Sequence, residues 1–317
     1  MGKGLWMGLG VLLLASAALL GCGREAQTQA EDLAYEEDSE AGFRRTVLYY
    51  TAEDGFVVPV MKRIPWEEGI GKAALGYLVD TEANRAAAEQ MGLEAPVPEG
   101  ASFTLRIGDE GNAVVDISGL QELPDAAAEQ AMVTGIVNTL TEFDSIHTVQ
   151  VTLDGAKVAA LPHGTDISEA FSTLPLNVEE GTLAVSSGNA HPMTLYFPNA
   201  AASLNVPVTR YGLEVPTLSG AVEALLDGPA ADGLRGFPEG TALLEATVED
   251  GIARVDLSEA FMAVENIEGL CAALQEALYL TANEVEPVSG VDIYVEGEPY
   301  ALHTVQVDAP VYVNEFK

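Results

Sequence analysis

The chain runs to 317 residues, 48% of them apolar, with 14 basic against 49 acidic side chains and a formal net charge of −35. That length suffices for two ordinary domains, each with its own core, and the apolar content rules out a disordered polymer. Binding to nucleic acid begins with neutralising phosphates, so a surface this acidic excludes it and repels anionic lipid as well.

The first stretch, MGKGLWMGLGVLLLASAALLGCG, carries one cation, Lys3, then an apolar run from Leu5 to Leu20 and small residues around Cys22. That order is an export signal, and the run is short for a spanning helix, which takes ~20 residues. Leu19-Leu20-Gly21-Cys22 resembles the bacterial lipobox, whose cysteine becomes the diacylated first residue of a lipoprotein. Residues 1–21 are therefore expected to be a lipoprotein signal peptide, with Cys22 as the lipid anchor on the extracytoplasmic face of the cell membrane. Two acyl chains hold a protein stably on a bilayer where one does not. Leu20 stands where such sites more often have Ala, Ser or Thr, and the competing reading is an ordinary signal peptide or an uncleaved anchor. With Cys22 spent on lipid, Cys271 is the remaining thiol and no intramolecular disulfide is expected. Residues 22–45 are polar, acidic and without period, a flexible tether with an end-to-end distance on the order of 25–30 Å.

From Thr46 onward the chain repeats itself. Leu48-Tyr49 matches Leu195-Tyr196, Val58-Pro59-Val60 matches Val206-Pro207-Val208, and Leu78-Val79-Asp80 matches Leu225-Leu226-Asp227. Pro98-Glu99-Gly100 matches Pro238-Glu239-Gly240, Val115-Asp116-Ile117-Ser118 matches Val255-Asp256-Leu257-Ser258, and Leu140-Thr141 matches Leu280-Thr281. The offset drifts from 147–148 to 140 because the first copy has extra residues between Val79 and Pro98. Chance does not keep this order over a hundred residues, so the chain is a tandem duplication.

Each copy reads alike. TVLYYT and MTLYFP are β-branched and aromatic, hence an opening strand, followed by a Val-Pro-Val loop. A helix follows, clearest in LSGAVEALLDGPA, where Val222, Leu225 and Leu226 share a face before Gly228 and Pro229 stop it. The first copy lacks that Gly-Pro and runs on through TEANRAAAEQMG, which predicts a longer helix. A hairpin comes next: Phe103, Leu105 and Ile107 with Ala113, Val115 and Ile117 across Gly111, repeated as Leu244, Ala246 and Val248 with Ala253, Val255 and Leu257 across Gly251. The second helix has the stripe Met132, Ile136, Leu140 and Phe143, twinned by Ile267, Leu270, Leu274 and Leu278. A last strand, Val149-Val151-Leu153 or Val291-Ile293-Val295, ends in Asp-Gly or Glu-Gly turn chemistry. The order predicts an α+β fold: two tandem β-α-β-β-α-β domains, each a small mixed sheet with its two helices on one face. Domain one spans 46–172, a linker 173–190, and domain two 191–317 with an extension at its end. Within the linker, Thr182–Ser187 is expected to form a short strand.

An acid two places before a serine raises the question of hydrolysis. Alternation turns Asp256 away from the core face of Val255 and Leu257, beside Arg254, and puts Ser258 at the strand end, where serine satisfies backbone groups. No histidine is near in sequence and no G-x-S-x-G elbow occurs, so Asp116, Asp256 and Ser258 read as structural. His147, His163, His191 and His303 lack the close spacing of a zinc site, and Walker, G-x-G-x-x-G and H-E-x-x-H patterns are missing, so neither metal nor cofactor is expected. Cys271 falls on the second helix of the second copy opposite Ala131 of the first, which predicts a buried, inert thiol.

In their order, Leu-Tyr, Val-Pro-Val, Leu-Leu-Asp-Gly-Pro, Pro-Glu-Gly-Thr, Glu-Asp-Gly and Val-Asp-Leu-Ser-Glu-Ala-Phe resemble the GerMN domain of sporulation and spore germination lipoproteins. The second copy carries the pattern nearly whole. The first lacks Gly-Pro and adds LTEF and HG, which also look like family features. The resemblance covers roughly residues 46–170 and 191–307. It implies a non-enzymatic envelope protein acting in sporulation, at the membrane between mother cell and forespore, beside a trans-envelope channel complex and peptidoglycan morphogenesis. It also implies a fold like the ring-building α/β modules of secretion-type assemblies. It supplies no catalytic residues and no cofactor. Two classes of function stay open. One is a scaffold that binds other envelope or sporulation-complex proteins or itself. The other is a peptidoglycan- or peptide-binding module in a process other than sporulation, with Trp66 as a candidate for stacking sugars. A hydrolase ranks last.

Overall fold

The computed structural model of the chain describes residues 42–179, 189–267, 269–301 and 314–316. The expected signal peptide 1–21, Cys22, most of the expected tether, the strand expected at Thr182–Ser187, and His303 lie outside the described residues.

Unit one opens with the antiparallel pair β1 (Phe43–Ala52) and β2 (Val57–Pro65), so the first strand starts ahead of Thr46. Then come α1 (Ile70–Tyr77), α2 (Glu82–Glu89), β3 (Leu93–Glu94), β4 (Ser102–Ile107), β5 (Asn112–Ser118), α3 (Ala126–Thr141) and β6 (Thr148–Leu153). Unit two repeats the plan with β7 (His191–Pro198), β8 (Asn205–Gly212), α4 (Leu218–Leu226), β9 (Leu243–Glu249) and β10 (Ile252–Leu257). A 3-10 helix (Glu259–Asn266), α5 (Leu270–Val285), β11 (Gly290–Val295) and β12 (Glu298–Ala301) complete it. The α+β class holds. In each unit a mixed sheet is built from an antiparallel and a parallel pairing, in the orders β4-β5-β6 and β9-β10-β11, the latter extended by β12. The helices α1 and α3 touch β4 and β6, while α4 and α5 touch β9 and β11.

The opening strands do not join those sheets. They pair with the Val-Pro-Val segments, which are strands rather than loops: Tyr49 faces Pro59 and Tyr196 faces Pro207. Proline fits there because each stands at a position whose backbone points to the outer edge, where a missing N–H breaks no ladder bond. Alternation sends Leu48, Tyr50, Val58 and Val60 into the core of unit one. The other edge of β1 pairs with β3 at Thr51 and Ala52 and is covered by α3 at Tyr49. The Tyr49 amide donates to the Thr139 hydroxyl at 3.2 Å, and Gly135 lies so close that a Cβ would stand 3.1 Å from the Tyr49 carbonyl oxygen. In unit two the Tyr196 amide donates to Thr281 at 3.0 Å.

Those bonds fix the repeat in the second helices. Thr139 corresponds to Thr281 and Glu142 to Glu284, each 142 apart, the spacing that also separates Asp154 from Glu296. The alignment of Leu140-Thr141 with Leu280-Thr281 is therefore displaced by two residues, and Cys271 corresponds to Glu129 rather than Ala131. Its thiol is half-buried and lies 3.4 Å from the Tyr300 hydroxyl, so the expected full burial does not hold. Met132, Ile136, Leu140 and Phe143 are buried as expected, each contributing about 1.5–3 kcal/mol. Leu270, Leu274 and Leu278 are buried too, but Ile267 precedes the helix and is exposed.

Two further differences have local causes. The first helix of unit one does not run on. It breaks after Tyr77, because Val79 bridges to Val97 in parallel and Thr81 caps a new helix by accepting from the Asn84 amide. The Asn84 side chain donates to the carbonyls of Gly76 and Val79, closing the end of α1. In unit two, the register shift between Asp256 and Leu257 sets Leu243 against the core and leaves Leu244 51% exposed.

Candidate functional site

The Asp-x-Ser motifs are occupied by backbone. Asp116 accepts from the Thr152 hydroxyl (2.6 Å), the Gly155 amide (2.8 Å) and the Ser118 hydroxyl (3.2 Å), and the Thr152 bond leads the causes that hold its carboxyl below the usual range. Asp256 accepts from the Gly297 amide at 3.0 Å. Each thus caps the turn after β6 or β11, where Asp154 and Glu296 take φ of 48° and 52° and the following glycines 78° and 81°. Ser258 accepts from the Ala242 amide at 2.9 Å and donates to the Gly240 carbonyl, tying the strand end to Pro-Glu-Gly-Thr. The recurring motifs bind one another.

Of the histidines, His147, His163 and His191 are described, and none belongs to a group of ligand side chains. His163 lies 2.7 Å from the Leu123 carbonyl through its ring and donates its backbone amide to Glu129, which is buried in the first turn of α3. Burial opposes ionisation of Glu129, but the amides of His163 and Thr165 outweigh it and hold the carboxyl below its ordinary range. Among the described residues no three His, Cys, Asp or Glu side chains are grouped as metal ligands. Trp66 is 41% exposed, near a groove of about 350 Å³ lined by Pro65, Glu67, Tyr77 and Asn84.

A network of buried polar groups lies where the units meet. The outer edges of β2 and β8 face each other, and Leu204 and Val206 pack into the core of unit one. Proline in each edge prevents direct zipping, and two asparagines take over. Asn177 Nδ2 donates to the carbonyls of Val57 (2.8 Å) and Pro207 (2.7 Å), while its Oδ1 accepts from the Val57 amide (2.8 Å). Asn314 Nδ2 donates to the carbonyls of Pro59 and Asn205, both at 3.0 Å, and its Oδ1 accepts from the Asn205 amide at 3.0 Å. Val57 and Asn205 are equivalent in the repeat, as are Pro59 and Pro207, so the two asparagines are related by a pseudo-twofold axis. Each is carried by an arm that follows its own unit and lies on the other.

Arm one starts at Leu174, whose amide and carbonyl are held by the Asn138 side chain of α3. It runs beside β8: Thr209 donates to the Leu176 carbonyl and Glu179 to the Thr209 carbonyl. Arm two, Asn314–Phe316, runs beside β2 in parallel: Met61 donates to the Asn314 carbonyl at 2.7 Å and Phe316 to the Met61 carbonyl at 3.0 Å. Each arm then meets a cation at equivalent places. Glu179 pairs with Arg210 at 2.6 Å, with side chains 5% and 19% exposed, and Phe316 lies under the Lys62 ammonium, 4.2 Å from the ring centroid. Arg210 also donates to the carbonyls of Ala224 and Gly228 at the end of α4.

Two tyrosine–glutamate pairs flank the seam. Tyr49 donates to Glu142 at 2.5 Å and Tyr196 to Glu284 at 2.7 Å. Burial, then the adjacent carboxylate, pushes both phenols well up, and each glutamate acts on the other unit's tyrosine too. Glu142 reaches solvent, yet desolvation of its head group is the main cause raising it, with repulsion from Asp144 and Glu284 added.

The sequence matches the Germane family, described as sporulation and spore germination, over residues 47–159 and again over 194–301. It is 26% identical over 309 residues to the spore germination protein GerM of Bacillus subtilis (strain 168), covering 92% of this chain and 83% of that protein. The fold superposes on the tandem GerMN domains of the sporulation protein GerM from Bacillus subtilis with a TM-score of 0.65 at 25% identity, covering 87% of this chain and all of that one. With two matched regions that together span most of the sequence, the chain belongs to the Germane family of sporulation and spore germination proteins.

Proposed function

We propose that this chain is a non-enzymatic envelope lipoprotein, held on the extracytoplasmic face of the membrane through Cys22, that acts as a structural component in sporulation and spore germination. The observation that carries the reading is the family match over both units. It is supported by the use of the recurring residues: Leu-Tyr, Val-Pro-Val, Val-Asp-x-Ser and the turn glycines hold strands, caps and the seam. A rigid pair of units on a tether suits a part that presents surfaces to other envelope proteins. Among the described residues no helix is long and apolar enough to cross a membrane.

Labelling cells with palmitate tests the anchor, with the wild type taking up label and partitioning with membranes and Cys22→Ala doing neither. Unchanged membrane partitioning of Cys22→Ala would sink it. The role is tested by counting heat-resistant spores after deletion in the organism that makes the protein. The count is expected to fall and to be restored by a Ser258→Ala copy, and failure of that copy despite normal protein levels would favour chemistry at the motif. The second reading, a peptidoglycan- or peptide-binding module, is favoured by the exposure of Trp66 beside its groove. Retention on purified peptidoglycan that is lost in Trp66→Ala would support it over the scaffold.

A further inference from the structure

The outer edge of β2 is more than one half of a seam. Its occupant is a short peptide, and the contacts spell out what the edge recognises. Asn314 supplies a side chain with two donor hydrogens and one acceptor on a short stem, placed between the Pro59 carbonyl and the backbone of Asn205. Aspartate has no donor for those carbonyls, and the proline prevents an ordinary strand from replacing the amide. One step on, the backbone of the arm closes both bonds of Met61. Phe316 then sits edge-on to Tyr50, with centroids 5.4 Å apart, beneath Lys62. An extended peptide reading Asn-x-aromatic, parallel to β2, satisfies every one of these contacts.

The two arms are held down by different contacts. Arm one is anchored by Asn138, by Leu176 packed with Tyr49 and Val57, and by the buried Glu179–Arg210 pair. Arm two is held by the Asn314 amide, the two backbone bonds to Met61 and the Phe316 ring, and the chain length of residues 302–313 allows it up to about 40 Å from Ala301. Its ring and asparagine make the same contacts whether the arm comes from its own chain or another. Only the local concentration differs, which is what makes exchange of an identical element a low-cost route to association. The molecule already contains such an exchange, since two units of common origin trade arms across a pseudo-twofold axis.

We propose that the outer edge of β2 is a peptide-docking site for an Asn-x-aromatic strand, and that the trailing arm of a second copy of this chain occupies it when copies are crowded. The site rests on the seam geometry alone and stands whether or not Cys22 carries lipid.

The test uses a fluorescent peptide with the sequence of residues 308–317, DAPVYVNEFK, and the full chain carrying Phe316→Ala, whose own arm has lost its ring. The peptide is expected to bind this chain and to bind the wild type, whose arm is seated, more weakly. An Asn314→Ala peptide is expected to bind at least about tenfold more weakly, because it leaves buried carbonyls and an amide without partners. Should Phe316→Ala fail to fold, the Asn314→Ala chain serves as acceptor. In parallel, the dimer fraction of the wild-type chain is expected to rise with concentration by sedimentation, and that of Asn314→Ala to stay flat. Equal binding of a scrambled peptide, or no binding to either acceptor, overturns the site. Peptide binding with a wild-type chain that stays monomeric up to millimolar concentration overturns the second copy as its occupant.

Discussion

Arm one and arm two bridge the same pair of strand edges with the same residue type, yet one ends in a buried ion pair and the other in an aromatic ring under a lysine. The backbone differs too. Arm one needs one more residue to span Thr209 than arm two needs for Met61, and within that longer span Asn177 takes a φ of 47°. Duplication thus kept the task, satisfying edges that proline prevents from zipping, and left free the means of holding each arm down. Charge on charge fixes arm one in a dry pocket. Phe316 gives arm two a grip without a buried carboxylate.

That contrast can be broken most severely at Arg210. Arg210→Met takes the cation away from the buried Glu179 carboxylate, which keeps the Ala230 amide, and strips two helix-end carbonyls, so a loss of about 3–5 kcal/mol is expected in urea unfolding. The pair also carries a pH signature. Burial opposes the ionised Glu179, but Arg210 and the Ala230 amide hold its carboxyl below the ordinary range. A folded-state value below the unfolded one stabilises fully above the unfolded carboxylate range and is lost as pH falls through the folded value. Wild-type stability should therefore drop in acid, and Glu179→Gln should flatten part of that drop.

Next come the asparagines. Asn314→Ala and Asn177→Ala should each cost roughly 2–4 kcal/mol, since three backbone groups lose partners in each case. Asn314→Asp should be worse than alanine at neutral pH, because it sets a charge against the carbonyls of Pro59 and Asn205. If aspartate proves milder in a thermal-shift comparison, the assigned donors are wrong. Gly135→Ala is expected to cost about 1–3 kcal/mol by forcing α3 away from the edge of β1, and valine at the same place considerably more. The smallest effect belongs to Ser258→Ala, about 1 kcal/mol by calorimetry, as befits a hydroxyl that ties two loops together.

The duplication, the mixed sheets and the buried helix stripes were legible because periodicity records which side of a strand or helix is dry. Val-Pro-Val read as a loop because proline usually ends a strand, and only the facing of its backbone, invisible in sequence, makes an edge strand of it. The helix break at Leu78–Thr81 depended on a bridge to Val97, a partner many residues away. The arms were hardest of all. Asn177 fell within a stretch read as linker and Asn314 within a stretch read as extension. A lone asparagine has no period, and the offset of 137 between the two no longer matches the spacing of the strands they bridge. The structural reading of Asp116, Asp256 and Ser258 rested on alternation and on the missing elbow, and their backbone partners supply its physical reason.

The central claim is that two asparagine-bearing arms close the edges of β2 and β8 and lock the units together. Amide hydrogen exchange at Met61, Val57, Asn205 and Thr209 of the intact chain measures it directly. The account predicts protection close to that of the paired amides inside the β1–β2 hairpin, with Met61 and Asn205 losing it in Asn314→Ala and Val57 in Asn177→Ala. Exchange of these four at the rate of an open strand edge in the wild type would contradict it.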